Sequence, residues 1–274
     1  MFENANETIR EMEECIDNPK ACTDYKKLKV GIDLGTANIA IAVLNEENKP
    51  VAGALYAADV VRDGIVVEYL KSVQIVRMLK EKIEKQLGTE LQFAATAIPP
   101  GIIEGNVKVI KNVVEAAGFI VNNVIDEPTA ASLLLGTKDG AVVDIGGGTT
   151  GISVIENGEV VYSGDEATGG RHLTLVTAGA LDMDYDEAEK FKVNEKNYNM
   201  VFPMVRPVIE KMASIILKHI APYNVNELYL VGGTCCLKGV EDVIEKYTSI
   251  KTFKPYNPLL VTPIGIAMSV KEVN

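Results

Sequence analysis

Histidine and cysteine are scarce in this 274-residue chain, with two of the first and four of the second. His172 and His219 have no cysteine near them in sequence, and Cys15, Cys22, Cys235 and Cys236 form no Cys-x-x-Cys pair. That spacing offers no Cys/His cluster for zinc. The adjacent Cys235 and Cys236 suit an ordinary disulfide poorly, so reduced thiols in a cytosol are the simplest reading. Long apolar runs are missing too, and nothing approaches the ~20 residues that cross a bilayer. Residues 1–20 are acidic and carry neither a basic stretch nor the apolar core of a secretory signal, so a cytoplasmic location is expected. Positive charge is in deficit: 27 Lys and Arg stand against 38 Asp and Glu, a net −11. This sign opposes wrapping of nucleic acid or lying on an anionic membrane, and neither is expected as a partner.

The chain does have enough apolar residues for a core, 47% against 24% charged. At ~150 residues per domain its length suggests about two units. Residues 1–29 read as a polar extension. Within it Phe2, Ala5, Ile9, Met12 and Ile16 make one apolar helical stripe, ended by Asn18-Pro19. Two readings fit that stripe: a helix docked on its own body, or a detachable helix for a partner's groove.

After Lys29 the periodicity switches to strands. Val30–Asp33, Ile39–Asn45 and Val51–Ala57 read as a meander, followed by a helix over Ser72–Gln86 that Gly88 stops. Then come a strand Ala94–Ile98, a helix Val107–Ala117, a strand Asn123–Asp126 and a helix Thr129–Leu135. The second half repeats the theme with strands Ala141–Asp144, Gly151–Ile155 and Val160–Ser163. Helices are expected near Leu173–Ala180, Tyr185–Phe191 and Pro207–His219. A buried strand Glu227–Val231, a helix Val240–Lys246 and a last helix through Gly265–Val270 complete the chain. Two such halves predict a duplicated α/β fold with a cleft between two lobes.

Each half opens on an aspartate followed by a glycine turn. Gly31-Ile32-Asp33-Leu34-Gly35-Thr36 is the first, and Asp144-Ile145-Gly146-Gly147-Gly148-Thr149-Thr150 the second. One such turn is an unremarkable hairpin. Two of them, about 110 residues apart and each heading a meander, suggest a phosphate clamp. Backbone amides and the hydroxyls of Thr36, Thr149 and Thr150 would hold phosphates, while Asp33 and Asp144 would reach Mg²⁺ directly or through its water shell. Carboxylates beside polyphosphate make sense only with a cation between them.

With these residues in view, the chain from Val30 onward resembles the actin, heat-shock chaperone and sugar kinase superfamily of ATPases, an actin-like (ribonuclease H-like) ATPase fold with two lobes around a nucleotide cleft. Five signatures occur in order: the two turns, Asp126-Glu127-Pro128-Thr129-Ala130-Ala131, Leu230-Val231-Gly232-Gly233-Thr234 and Pro263-Ile264-Gly265-Ile266-Ala267. Segments 58–66, 99–101 and 163–172 are similar to the ethanolamine utilization protein J family in particular. The division implied is an extension 1–29, lobe I over 30–138, lobe II over 139–256, and a connecting helix within 257–274 that returns to lobe I.

The resemblance implies the ligands ATP and Mg²⁺ and a chaperone-like role in ethanolamine utilization. That role would be assembly of a bacterial microcompartment or reactivation of ethanolamine ammonia-lyase, with that enzyme or shell proteins as partners and self-association as a further option. Glu127 matches the acid beside the attacking water; read without the family it is an acid at a helix start. Gly232 and Gly233 match the glycines beneath adenosine, and Gly169-Gly170 a turn near the phosphates. Glu189 and Lys192 match a pair that holds the nucleoside, or else form a solvated ion pair. Departures temper this: no lysine can be assigned to the chaperones' essential one, Cys236 stands where they stack an arginine on adenine, and Leu259 replaces an acid. The chain ending at Asn274 leaves no room for a peptide-binding domain. The expectation is a weak ATPase, with a non-hydrolysing scaffold or adaptor as the alternative and a small-molecule kinase or a filament behind them. Cys235 and Cys236 are expected to pack beneath the adenosine turn, His172 to lie in an exposed loop, and Met200, Met204 and Met212 to fill packing space.

Overall fold

The structure is a computed structural model that describes residues 2–20, 27–62 and 64–271. Cys22 and Asn274, named above, and residue 63 of the segment 58–66 lie outside the described residues. The chain opens with helix α1 (Glu3–Asp17) and the meander β1 (Lys29–Leu34), β2 (Asn38–Leu44) and β3 (Pro50–Ala57). A two-residue hairpin follows, β4 (Val61–Arg62) and β5 (Ile65–Val66), then α2 (Tyr69–Leu87), β6 (Phe93–Ile98), α3 (Glu104–Ala116), β7 (Ile120–Asp126) and α4 (Glu127–Leu135). The second half holds β8 (Gly140–Ile145), β9 (Thr150–Glu156), β10 (Glu159–Glu166), α5 (Gly170–Leu181), α6 (Tyr185–Val193) and α7 (Tyr198–Ile220). It ends with β11 (Glu227–Val231), α8 (Val240–Thr248), β12 (Lys251–Phe253) and α9 (Val261–Met268).

The duplication expected from the sequence is present in the sheets. One has the order β3-β2-β1-β6-β7, the other β10-β9-β8-β11-β12. In each, a meander is antiparallel and its first strand then pairs in parallel with the later strands of the same half. Parallel pairing requires a crossover, and helices supply it. One face of the first sheet packs on α2 and α3 through Val76, Leu79, Ile83, Val113 and Val114, and one face of the second on α7 and α8 through Val205, Ile209, Ile216 and Ile244.

Between the sheets lies a third core that both halves share. Ala42 and Leu44 of the first sheet and Val142, Tyr229 and Val231 of the second meet α4, α9 and α1 there. Helices α4 and α9 cross so closely that a Cβ on Gly265 would sit 1.9 Å from the Ala130 carbonyl oxygen. Only glycine permits that approach. The helix α1 is docked on its own body: Phe2, Ala5, Ile9, Met12 and Cys15 are buried, the middle residue completely.

Several sequence expectations need correction. The helix expected from Pro207 begins nine residues earlier, with Pro203 and Pro207 inside it. Each interior proline costs about 3 kcal/mol, but the helix buries Ala213 together with Val201, Val205, Ile209, Met212, Ile216 and Ile220, these last six each contributing about 1.5–3 kcal/mol. The last helix starts earlier than Gly265, at Val261, because Asn257 caps a 3-10 turn, Pro258–Leu260, that leads into it, and it ends at Met268, short of Val270, with Ser269 as its C-cap. His172 belongs to the first turn of α5, where its Nδ1 accepts from the Gly169 amide at 3.3 Å. Cys235 is buried as expected but Cys236 is exposed, and Met200 is also exposed. No helix among the described residues is long and apolar enough to cross a membrane.

Candidate nucleotide site

The two aspartate–glycine turns lie at the corresponding ends of β1 and β8. The second is closed by the Gly146 amide donating to the Thr149 carbonyl at 3.0 Å. A Cβ on Gly147 would sit 3.1 Å from Ala37 Cβ and 3.4 Å from Thr36 Cβ, so the turns of the two halves meet edge to edge. The second turn is anchored from behind: its Gly146 carbonyl accepts from the Gly170 amide at 2.9 Å and its Gly147 carbonyl from the Arg171 amide at 2.8 Å. Thr234 Oγ1 also donates to the Gly146 carbonyl, at 2.7 Å. Gly169-Gly170 and the Gly232–Thr234 turn are thereby brought to the back of the second turn. The Thr150 hydroxyl is buried and donates to the Thr168 carbonyl at 2.6 Å, which gives it a structural partner.

Three carboxylates converge beside these turns. Burial pushes Asp33 up to about 7, helped by the charge of Asp144. Burial likewise pushes Asp144 up to about 6, against the Thr262 hydroxyl, which donates to it at 2.5 Å. Glu127 is raised well above its ordinary range, by burial first and then by Asp144, Asp33, Asp165 and Asp126. Asp33 and Glu127 both feel the charge of Asp144, which ties the three acids to one electrostatic neighbourhood. Glu127 is aimed by its neighbour: Asp126 caps α4, accepting from the Thr129 amide at 3.0 Å and the Thr129 hydroxyl at 2.7 Å. The Gly232 backbone lies directly on Asp144, since a Cβ there would fall 2.3 Å from Asp144 Oδ1.

Glu189 and Lys192 form a pinned pair. Lys192 Nζ lies 2.7 Å from Glu189 Oε2 and donates to Thr174 Oγ1 at 2.8 Å and to the Gly170 carbonyl at 3.3 Å, while the Thr174 hydroxyl bonds Glu189. The lysine side chain is only 12% exposed, too enclosed for a freely solvated pair. The pair thus fastens α6 to the start of α5, one residue from Arg171 and its bond to the second turn.

Among the described residues, no basic side chain is among the groups that shift the three carboxylates. Nor do three or more His, Cys, Asp or Glu side chains close on a point as a direct metal cage, again among the described residues. Hard oxygen ligands without a counter-charge and without a dehydrating cage fit Mg²⁺ that keeps its waters. Thr262 and Asp126 are the positioning residues that sequence reasoning passed over. Asp126 had a visible signal, a capping residue two before Pro128, whereas Thr262 meets Asp144 only in the folded chain.

Comparison with known proteins follows the same lines. The family model for MreB/Mbl protein matches residues 49–186, and that for type IV pilus assembly protein PilM matches residues 135–261. Ethanolamine utilization protein EutJ of Escherichia coli (strain K12) is 42% identical over 246 residues, 89% of this chain and 87% of its own length. The crystal structure of ethanolamine utilization protein EutJ from Carboxydothermus hydrogenoformans is 45% identical, with a TM-score of 0.91 over 96% of this chain and 97% of that one. MreB5 of Spiroplasma citri bound to ADP, at 16% identity and TM-score 0.71 over 89% of this chain and 96% of that one, shares the fold.

Proposed function

This chain belongs to the ethanolamine utilization protein EutJ family, and on that premise we propose that it is a chaperone-like factor that binds Mg-ATP between its lobes and hydrolyses it slowly. One observation carries the reading: acids from both halves, Asp33, Glu127 and Asp144, lie in one electrostatic neighbourhood beside two glycine turns, all raised by burial, with the charge of Asp144 acting on the other two. When bound, Mg-ATP supplies a cation for those carboxylates and a phosphoanhydride open to water.

The chain's own residues then divide the work. Asp33 and Asp144 would hold the cation through its water shell, and Thr262 fixes the rotamer of Asp144. Glu127, held at the start of α4 by the Asp126 cap, would position a water and take up its proton once a bound cation offsets the burial and acidic neighbours that otherwise keep it protonated. Gly35, Thr36, Gly146, Gly147, Gly148 and Thr149 line the phosphates. Gly232 and Gly233 offer bare backbone to the nucleoside, with Glu189 and Lys192 at its side. Since α4 and α9 cross between the sheets, a change of nucleotide state is transmitted as a change in the angle of the lobes, and with it the surface offered to a partner. The partners proposed are ethanolamine ammonia-lyase or a microcompartment shell protein.

The test is phosphate release from Mg-ATP at single turnover, with and without the ammonia-lyase. Slow release that the lyase accelerates, and that Glu127→Gln lowers by about 100-fold while ADP still binds, supports the proposal. No release together with no nucleotide-dependent binding to either partner refutes it. A second reading, a non-hydrolysing adaptor, is favoured because, among the described residues, no basic side chain is among the groups that shift the carboxylates; tight Mg-ADP binding without turnover would select it.

A further inference from the structure

The polar residues of α1 end on the loop that supports the nucleoside turn. Apart from its buried apolar stripe, α1 carries a second stripe, Asn6, Arg10 and Glu13, at spacings of four and three. All three side chains reach residues 256 and 257. Asn6 Oδ1 accepts from the Tyr256 amide at 2.8 Å, Glu13 Oε1 accepts from Asn257 Nδ2 at 2.9 Å, and the Arg10 guanidinium lies 4.8 Å from the centre of the Tyr256 ring. Simple burial of an amphipathic helix does not require three polar contacts to one two-residue target.

That target is the other side of the adenosine turn. Asn257 Oδ1 accepts from the Leu259 amide at 3.2 Å, shaping the loop. The Pro258 carbonyl accepts from the Gly232 amide at 3.0 Å. Leu259 Cδ1 would lie 3.3 Å from a Cβ on Gly233. Residues 256–259 therefore form a shared floor with α1 beneath it and Gly232-Gly233 above. The helix also reaches both lobes. Phe2 meets the rings of Tyr229 and Phe253 edge-on at 5.9 and 6.5 Å in the second sheet. At the other end Met12 and Ile16 lie over Gly53 of the first, where a Cβ would come within 2.9 Å of both.

We infer that α1 is a built-in strap for the nucleoside side of the cleft: it holds the Gly232-Gly233 turn through Asn257, so that docking of α1 and binding of a nucleoside strengthen each other. The inference rests on the proposed nucleotide site and adds its regulation. Reciprocity is required by linkage: whatever pulls α1 away weakens nucleoside binding, and bound nucleoside tightens α1. The second phosphate turn has a fastening outside the strapped turn, the Gly170 and Arg171 amides of α5, so the strap acts on the nucleoside more than on the phosphate contacts.

The experiment uses the full chain and three surface variants, Glu13→Ala, Glu13→Gln and Asn6→Ala, with calorimetry against Mg-ADP and against inorganic tripolyphosphate with Mg²⁺. Glu13→Ala and Asn6→Ala are expected to weaken ADP on the order of five- to tenfold. Glu13→Gln keeps an acceptor for Asn257 and should stay within about twofold. Tripolyphosphate should bind all four proteins alike. Unchanged ADP affinity in Glu13→Ala, or equal loss of ADP and tripolyphosphate, overturns the strap. If the wild type binds neither ligand, the nucleotide reading itself fails, and amide exchange judges the strap alone: faster exchange at Gly232 and Leu259 in Glu13→Ala upholds it, unchanged exchange overturns it.

Discussion

Replacing Asp144 by Asn should stabilise the nucleotide-free protein above neutral pH and leave it nearly unchanged near pH 4. Asp144 is 6% exposed, and burial raises its carboxyl from 3.8 to about 6. Between those values the folded chain holds a proton that the unfolded chain has released. Wild-type stability therefore falls as pH rises from about 4 through about 6, and the contribution is gone above that window. At about 1.4 kcal/mol for each tenfold in the equilibrium, the loss is about 3 kcal/mol. Asn still accepts from Thr262 but removes the charge, and Asp33, raised to about 7 partly by that charge, is relieved as well. Urea unfolding at pH 4.5, 6 and 8 without ligand should show a gain of about 3 kcal/mol at pH 8 that shrinks to about 1 kcal/mol at pH 4.5. Mg-ADP should then reverse the order, adding about 4.1 kcal/mol to the wild type at a thousandfold excess over Kd and little to the variant. A variant no more stable than wild type at pH 8, or a gain independent of pH, would refute the reasoning.

Gly265→Ala drives a methyl group into the Ala130 carbonyl and should cost about 3 kcal/mol by thermal or chemical unfolding, since two helix backbones must separate; a loss under about 1 kcal/mol would mean that the crossing is looser than described. Ile9→Ala removes a completely buried side chain from α1 and should cost about 3 kcal/mol, whereas near-neutral behaviour would show that the helix is undocked in solution. Thr262→Val takes the donor away from a buried carboxylate and should destabilise by about 2 kcal/mol at pH 8 but much less at pH 4, with equal losses at both pH values counting against the assigned bond.

The architecture was legible because most of its elements are longer than one period of their pattern. Strand Glu227–Val231 and helix Ser72–Gln86 announce themselves by apolar spacing and by a stop such as Gly88, which adopts the left-handed conformation at the end of α2 with φ of 70°. What escaped was short or contradicted locally. β4 and β5 have two residues each and β12 three, too few to show alternation. Pro203 and Pro207 hide the first turns of α7, and only burial against the second sheet overrides them. The site divides in the same way. The aspartate–glycine turns and Glu127 are contiguous motifs, readable where they stand. Thr262 acts 118 residues from Asp144 and Glu13 244 residues from Asn257, distances that no local pattern encodes.

The duplication gives those distant contacts a logic. In each half the last parallel strand leads to a helix whose first turn carries a polar residue followed by proline: Glu127-Pro128 in α4 and Thr262-Pro263 in α9. Three residues beyond each lie Ala130 and Gly265, the pair at which the helices cross. Equivalent positions thus meet near an approximate two-fold relation between the halves, and the residues at the two helix starts are aimed at the same place. Yet the groups differ: one start supplies a carboxylate and the other a hydroxyl. Two carboxylates at both starts would put four buried acids around one point, with no further donor to hold Asp144. A hydroxyl at both would leave no group able to take a proton from water. Divergence of that single pair turns a symmetric frame into a directional site, with Asp144 as the group that both starts address. Glu127 feels its charge more strongly than that of Asp33, and Thr262 binds it outright.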